Sequence, residues 1–157
     1  MKVEEVMTRD VITCTPADPI GKIVKLMSEK DISGLPVMDG EKLVGVITEG
    51  DIMKVLAGPS VSNTLWLPSP FEVLLEIPFR DIMQLRRIQE SFKDVSEKPV
   101  RDVMSKKPVT IEPQNDIEDA SGLMVRYKIN RLPVVRGGKL IGIITREDII
   151  QGLGGKK

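Results

Sequence analysis

The sequence predicts a mixed α/β (α+β) protein in which two pseudo-symmetric β-α-β-β-α repeats pack sheet to sheet, with a helical insert between them. Residues 3–52 and 100–149 align without a gap at a constant offset of 97 positions, with 20 identities in 50 positions. Each copy alternates short apolar runs, which suit buried strands, with apolar residues at helical spacing. Because a unit of about 50 residues is near the lower size limit of a stable domain, we expect both copies to fold as one module.

The duplication divides the chain into four segments. We assign residues 1–56 to repeat 1, 57–97 to a helical insert or linker, 98–153 to repeat 2 and 154–157 to a tail. Four of the five aromatic residues lie in the insert: Trp66, Phe71, Phe79 and Phe92. The insert is therefore predicted either to cover the repeats, with helices over 71–77 and 80–92, or to offer a surface to a partner.

Each repeat begins with a strand and a helix. Residues 11–13 in the first copy and 109–111 in the second are apolar runs too short for a helix, which predicts a buried first strand. Capping residues at 18–19 and 115–116 then predict the start of a helix. The predicted buried faces are Ile20, Ile23, Val24 and Met27 in one copy and Ile117, Ala120, Leu123 and Met124 in the other.

Two further strands and a second helix complete each repeat. The pairs Asp39-Gly40 and Gly137-Gly138 each separate two apolar runs, which is the signature of a β-hairpin. Thr48 and Thr145 end these hairpins and are predicted to open the last helix of each copy.

The junction between the last strand and the last helix carries the same motif twice, Gly-x-x-Thr-x-x-Asp, at residues 45–51 and 142–148. One interpretation is structural, because Thr-x-x-Asp before an apolar helix is close to a capping box. The other is functional. A helix N-terminus offers N–H groups and a positive dipole end to an anion, and an Asp one turn in can hold a vicinal diol. The glycine predicts a close approach by backbone or ligand, or tight packing between the repeats.

The composition excludes several classes of function. The chain has no His and one Cys, which excludes an intrachain disulfide, a Cys/His zinc site and a histidine base. Cys14 ends an apolar run and is predicted to be a packed small hydrophobe rather than a reactive thiol. With 23 basic and 23 acidic residues, the formal charge is zero, which argues against nucleic-acid binding through the doublets Arg86-Arg87 and Lys106-Lys107.

The sequence carries no sign of a membrane segment. No apolar run approaches the roughly 18 residues of a transmembrane helix, and the first residues lack a basic stretch followed by an apolar one. We therefore expect a soluble, cytoplasmic protein.

Taken together, the motifs resemble a tandem pair of CBS (cystathionine β-synthase) domains, or Bateman module, of the stand-alone prokaryotic or archaeal type. In the first copy they are Val6-Met7, Thr13-x-x-Pro16, residues 32–37 and the junction at 45–51, and each has a counterpart in the second copy. They cover residues 1–56 and 98–153. Each motif is weak alone, but the ordered set occurring twice is highly specific.

The resemblance implies a non-catalytic regulatory sensor that acts on a partner protein. Family members bind AMP, ADP, ATP, S-adenosylmethionine or methylthioadenosine, need no other cofactor, and commonly form a homodimer through the CBS helices. By the family pattern, Asp51 and Asp148 would hold ribose hydroxyls, while Thr48 and Thr145 would assist with ribose or phosphate. The positions implied around the base are Ile12, Thr13, Pro16 and Val46 in the first copy and Val109, Thr110, Pro113 and Ile143 in the second.

The two copies differ in charge beside the implied sites. Arg131 stands where similar domains often carry a basic residue that faces phosphate, whereas its counterpart is Gly34; an ordinary surface salt bridge is the alternative role for Arg131. Glu147 stands where relatives that bind phosphates often carry a hydroxyl or a basic side chain, and its carboxylate would repel an anion. This departure favours methylthioadenosine or S-adenosylmethionine at one site.

Two other classes of function compete with the sensor. In a structural or interaction protein, both Thr-x-x-Asp pairs would be caps only, and the chain would bind no adenosine compound. An enzyme is a weaker interpretation, because the sequence supplies no nucleophile paired with a base and no metal cluster.

Overall fold

The structure is a computed structural model that describes residues 1–58 and 90–155. In chain order the helices are α1 (Val3–Val6), α2 (Ile20–Lys30), α3 (Glu49–Ala57), α4 (Ile117–Tyr127) and α5 (Arg146–Leu153), and the strands are β1 (Gly34–Asp39), β2 (Lys42–Thr48), β3 (Ser105–Lys106), β4 (Arg131–Arg136) and β5 (Lys139–Thr145). Residues 90–96 are also helical, and Val100–Asp102 form a 3-10 turn. None of the helices described is both long and apolar enough to cross a membrane.

The strands form two small sheets, one ordered β1-β2-β3 and the other β4-β5. Both predicted hairpins are confirmed, and their turn glycines Gly40 and Gly137 have positive φ angles of 60° and 57°. The two hairpins also share one burial pattern. The first four residues of β1 and β4 are buried, and so are the fourth to sixth residues of β2 and β5. The sequence duplication is thus repeated in the fold.

The predicted first strand of each repeat is wrong in its extent. Cys14 forms a single parallel bridge with Val37, and Ile111 forms the equivalent bridge with Val134. The ladder does not continue on either side of these residues within the described chain. Prolines near both runs, such as Pro108, have no N–H to donate to a ladder. Cys14 is 5% exposed, which confirms that it packs as a small hydrophobe.

The first long helix of each repeat has the predicted buried face. The fully buried members are Ile20, Ile23 and Met27 in α2 and Ile117, Ala120 and Met124 in α4, while Val24 and Leu123 are half-buried.

Both helices begin one residue later than predicted. The N-cap of α4 is Asp116, not Asn115, and the Asp116 N–H donates to the Asp119 carboxylate at 3.2 Å. The N-cap of α2 is Pro19, not Asp18, because the helix begins one residue later than the proline rule predicts. Asp18 instead accepts a hydrogen bond from Lys22 Nζ at 2.8 Å.

The chain forms two compact units, which do not coincide with the sequence repeats. The first comprises Met1–Thr15, Leu35–Val46 and Ser105–Lys157, and the second comprises Pro16–Gly34 and Ile47–Met104. The core of the first unit joins the N-terminal residues to repeat 2, and its buried members are Val3, Val6, Met7, Ile111, Ile117, Ala120, Met124, Leu132, Val134, Ile144 and Ile149.

The leading segments of the two repeats are exchanged. In the first unit, the Val3 N–H donates to Asn115 O at 2.9 Å, so the segment that begins repeat 1 docks on repeat 2. In the second unit, the Val100 N–H donates to Asp18 O at 2.8 Å, so the segment that begins repeat 2 docks on repeat 1. Adding the offset of 97 to Val3 and subtracting it from Asn115 converts the first bond into the second.

Most of the predicted insert lies outside the described residues. The part that lies outside includes Trp66, Phe71 and Phe79, the predicted helix over 71–77 and most of the predicted helix over 80–92. Phe92 lies in the helical stretch 90–96 and is half-buried.

Candidate ligand-binding sites

The β5–α5 junction holds a complete capping box. The Thr145 N–H and the Thr145 hydroxyl both donate to Asp148 Oδ2, each at 2.8 Å, and the Asp148 N–H donates back to Thr145 Oγ1 at 3.2 Å. Thr145 is in an extended conformation as the N-cap, since its φ is −114° and its ψ is 166°. The threonine and aspartate of the motif are therefore locked to each other before any ligand arrives.

The β2–α3 junction repeats this geometry. Thr48 donates from its N–H and its hydroxyl to Asp51 Oδ2, each at 3.0 Å, and the Asp51 N–H donates to Thr48 Oγ1 at 3.2 Å. The capping interpretation of the motif is thus confirmed in both copies. In each box the cap donors converge on one carboxylate oxygen, Oδ2, so the cap makes no use of Oδ1.

The two aspartates differ in burial. Asp148 is 7% exposed, whereas Asp51 is half-buried. Asp148 also receives a long hydrogen bond on its second oxygen, since Thr8 Oγ1 lies 3.4 Å from Asp148 Oδ1. The second copy therefore presents the more enclosed carboxylate.

Thr8 reaches Asp148 because the N-terminal segment is anchored beside β5. The N–H groups of Thr8 and Ile143 each donate to the other residue's carbonyl oxygen at 2.9 Å. Gly142 permits this approach, since a Cβ at that position would lie 2.6 Å from Met7 Sδ and 3.1 Å from Thr8 O. The close approach predicted at this glycine is made by the Met7 side chain and the Thr8 backbone.

Sequence reasoning did not identify Thr8 as a site residue. A signal was present, because the offset of 97 pairs Thr8 with Ser105 and so places a hydroxyl at the same position of both leading segments. Ser105 lies opposite Val46 in the register of β2 and β3, as Thr8 lies opposite Ile143. That signal has meaning only once the leading segment is known to lie beside the last strand.

Arg131 lies at the start of β4, where its Cα partner across the hairpin is Thr145. Arg131 is 8% exposed, so it does not lie on the open surface. A guanidinium is rarely buried unless its charge is balanced. Arg131 and Thr145 thus lie at the end of the second hairpin where α5 begins, and Asp148 follows in the first turn of α5.

The charged neighbours within the second motif have hydrogen-bond partners of their own. Glu147 is exposed and accepts a hydrogen bond from Gln151 Nε2 at 2.9 Å. Arg146 Nη1 donates to Asn130 Oδ1 at 3.2 Å. Both side chains are thus held by partners on repeat 2.

The thirteen predicted site residues are divided between the two units. The first unit holds ten of the thirteen: Ile12, Thr13, Val46, Val109, Thr110, Pro113, Arg131, Ile143, Thr145 and Asp148. The second unit holds Pro16, Thr48 and Asp51. Val46, Pro113 and Ile143 are buried, Thr13 is exposed, and the other positions predicted around a base are half-buried. Their roles toward a ligand remain predictions.

The family can be decided by comparison with known sequences. The CBS domain family matches the chain twice, over residues 3–58 and 100–155. The chain belongs to the CBS domain family. As a CBS pair, it is 37% identical over 155 residues to the Uncharacterized protein MJ1426 of Methanocaldococcus jannaschii, which covers 98% of this chain and 91% of that protein.

This CBS pair is also similar to a part of larger proteins. It is 32% identical over 149 residues to inosine-5'-monophosphate dehydrogenase of Korarchaeum cryptofilum, which covers 94% of this chain but only 23% of the enzyme. The match therefore concerns under a quarter of the enzyme.

Solved structures of other CBS proteins share its fold. CBSX2 in complex with AMP is 27% identical, with a TM-score of 0.68 and coverage of 99% of this chain and 98% of that one. The CBS domain pair of protein MJ0100, in complex with 5'-methylthioadenosine and S-adenosyl-L-methionine, is 24% identical with a TM-score of 0.71, and covers 100% and 98% of the two chains. At that identity the second likeness shows the fold alone.

Proposed function

We propose that this CBS pair is a non-catalytic regulatory module that binds an adenosine-containing ligand and thereby acts on a partner protein. The observation that carries the proposal is the duplicated Thr–Asp junction, with the buried Asp148 fixed by Thr145. It occurs in a chain that is similar along nearly its whole length to CBSX2, a protein whose structure holds AMP.

The second junction suits a ribose. A carboxylate can accept about four hydrogen bonds on its two oxygens. Because Thr145 occupies Asp148 Oδ2 from two donors, the carboxylate is held in one orientation, with Oδ1 turned to other donors. Such a fixed acceptor binds a diol at a low ordering cost. We propose the same role for Asp51 in the first copy.

The phosphate and the base would contact different groups. The N-terminal turns of α3 and α5 follow Thr48 and Thr145, and an anion is favoured at such a helix end. Arg131 lies across the hairpin from Thr145 and would add a positive charge in the second copy only. The buried apolar residues Val46 and Ile143 would contact the base, with Ile12, Thr13, Pro16, Val109, Thr110 and Pro113 as further contacts.

The charge of the second junction bears on the choice of ligand. AMP is the first candidate, because the positive charge of Arg131 would favour a phosphate. The structure of CBSX2, a similar protein, also holds AMP. Glu147 supports uncharged methylthioadenosine or the sulfonium of S-adenosylmethionine, because its carboxylate lies in the first turn of α5. ADP and ATP remain within the proposed class.

We also propose that residues 1–56 and 98–153 act as one module and that two copies form a homodimer through the repeat helices. The exposed apolar side chains of α4 and α5 support such a surface: Val125 is 79% exposed, Ile150 is 69% exposed and Leu153 is 65% exposed. Sedimentation of the wild type against the double variant V125E/I150E tests this part of the proposal. A monomer in both would contradict it.

The interaction scaffold remains the second candidate, because the two capping boxes explain the Thr–Asp pairs without any ligand. The dehydrogenase activity of the larger relatives is not part of the proposal, since the match covers 23% of that enzyme.

A thermal-shift screen against AMP, ADP, ATP, S-adenosylmethionine, methylthioadenosine and inosine monophosphate separates the two candidates. A ligand at 100 times its dissociation constant adds about 2.7 kcal/mol of stability, which is easily seen. Calorimetry on each hit then gives the affinity and the number of sites. A selective response supports the sensor, whereas silence in protein freed of bound nucleotide favours the scaffold.

A further inference from the structure

We infer that Thr8 is a positioning residue of the second ligand site: it orients Asp148 and so couples the occupancy of that site to the docking of the N-terminal segment, residues 1–8. The inference rests on the proposed function and deepens it. The geometric basis is the contact between Thr8 Oγ1 and Asp148 Oδ1, at 3.4 Å across 140 positions of sequence.

The backbone of Thr8 is held on β5 by short hydrogen bonds, although the contact from its side chain to Asp148 is long. Two backbone hydrogen bonds of 2.9 Å join Thr8 to Ile143, the residue two positions before Thr145. The two residues before Thr8 are buried in the core of the first unit: Val6 is 3% exposed and Met7 is 7% exposed. The hydroxyl is therefore carried to Asp148 by backbone that is fixed on β5.

The two ends of this contact lie in different environments. Thr8 is exposed, whereas Asp148 is 7% exposed. The contact thus stands at the boundary between solvent and the buried carboxylate, where a ligand hydroxyl would approach. A carboxylate oxygen has room for more than one donor, so Thr8 and a ribose hydroxyl can share Oδ1.

The energetic role of Thr8 follows from the fact that Thr145 and Thr8 donate to different oxygens of the Asp148 carboxylate. Thr145 holds Oδ2 and Thr8 contacts Oδ1, so the two contacts together restrict rotation of the carboxylate plane. A preorganised acceptor loses less entropy when a ligand binds. A ligand hydroxyl that shares Oδ1 with Thr8 would in turn favour the docked state of residues 1–8, because binding and docking are linked reciprocally.

The test compares three variants of the full chain with the wild type by calorimetric titration of AMP and by thermal unfolding. Thr8→Val removes the hydroxyl at nearly constant shape, and Thr8→Ser keeps it. We expect Thr8→Val to weaken AMP binding about 3- to 10-fold at the site that Asp148→Asn also weakens, since one hydroxyl contact to a charged group is lost. Thr8→Ser should restore the affinity to within about twofold.

Two further measurements separate positioning from a general structural effect. In the Asp148→Asn background, Thr8→Val should cause no additional loss, because Thr8 acts through that carboxylate. Ser121→Ala is the matched control, since the Ser121 hydroxyl donates to Ile117 O within α4 at 2.8 Å. It should leave AMP affinity unchanged.

The outcomes distinguish this inference from the proposed function. If the wild type binds AMP and Thr8→Val binds it equally, the inference is wrong and the proposed function stands. If Thr8→Val lowers the melting temperature alone, or weakens AMP equally in the Asp148→Asn background, Thr8 is not a positioning residue. If the nucleotide-free wild type binds neither AMP nor another adenosine compound, the proposed function fails and the inference falls with it.

Discussion

Arg136 Nη2 lies 2.9 Å from Glu4 Oε2, an ion pair that joins the leading segment of repeat 1 to the hairpin of repeat 2. The offset of 97 converts Glu4 into Arg101 and Arg136 into Asp39, so both signs are reversed in the other copy. If each segment docked on its own repeat in the same manner, Glu4 would meet Asp39 and Arg101 would meet Arg136. The charge pattern therefore favours exchange of the segments, because like-charged partners oppose the alternative.

The first prediction concerns this ion pair. Glu4→Arg and Arg136→Glu should each lower the free energy of unfolding by about 0.5 kcal/mol, since both side chains are partly exposed and such pairs contribute little. The double variant with exchanged charges should recover most of the loss. Urea unfolding measures the three values, and high salt should reduce the differences. A double variant as unstable as the sum of the singles would show that the pair does not interact.

The second prediction is a pH dependence at the same segment. Lys2 Nζ lies 2.9 Å from Asp116 Oδ1. The hydrogen bond from Lys2 lowers the pKa of Asp116, and the same bond raises the pKa of Lys2. The contribution of Asp116 is therefore present above its unfolded-state pKa and lost as pH falls through the depressed value. The contribution of Lys2 is present below its unfolded-state pKa and lost as pH rises through the raised value.

Lys2→Met should therefore lower the free energy of unfolding most at pH values where Asp116 is ionised and Lys2 is protonated. The loss should become smaller as Asp116 is protonated at acid pH. The measurement is urea unfolding of wild type and variant across that pH range. Lys25→Met, which breaks an exposed 3.8 Å pair with Glu29, is the control for the loss of a surface lysine. Parallel pH profiles for wild type and Lys2→Met would contradict the assignment.

The third prediction uses two glycines with opposite surroundings. Gly142→Ala places a Cβ 2.6 Å from Met7 Sδ and 3.1 Å from Thr8 O, so it should destabilise the protein by about 1–3 kcal/mol. Gly122→Ala, in the exposed interior of α4, meets nothing within 4 Å and should stabilise by about 0.5–1 kcal/mol. Denaturant unfolding of both variants decides the matter. Equal effects would mean that the N-terminal segment does not lie against β5.

The fourth prediction separates the cap from the ligand role. Asp148→Ala should cost about 0.5–2 kcal/mol of stability because it removes the capping carboxylate, and it should also weaken AMP. Asp116→Ala removes the N-cap residue of α4 and should cost stability with no change in AMP affinity. Thermal unfolding and calorimetry of both variants give the two quantities. An Asp148→Ala variant with unchanged AMP affinity would leave the carboxylate a cap only.

The sequence was sufficient to predict those features that depend only on contacts between residues a few positions apart. The hairpins at Gly40 and Gly137-Gly138 were predicted because turn conformation depends on adjacent residues. The capping boxes of Thr48 and Thr145 were predicted for the same reason, since donor and acceptor are three positions apart.

The prediction of the first strands failed because pairing is not local. Cys14 and Ile111 each bridge β1 or β4 at one residue only, and the length of such a ladder depends on the neighbouring strand.

The sequence by itself determined the duplication, the two hairpins, the helical faces and the paired Thr–Asp junctions, because each depends on periodicity or on contacts within a few residues. Only the tertiary structure decided which repeat each leading segment completes, and so brought Thr8 to Asp148. The physical reason is that the contact is made across 140 positions of sequence, beyond the reach of any local pattern. The partner of each leading segment is selected by the buried side chains and charges of the other copy.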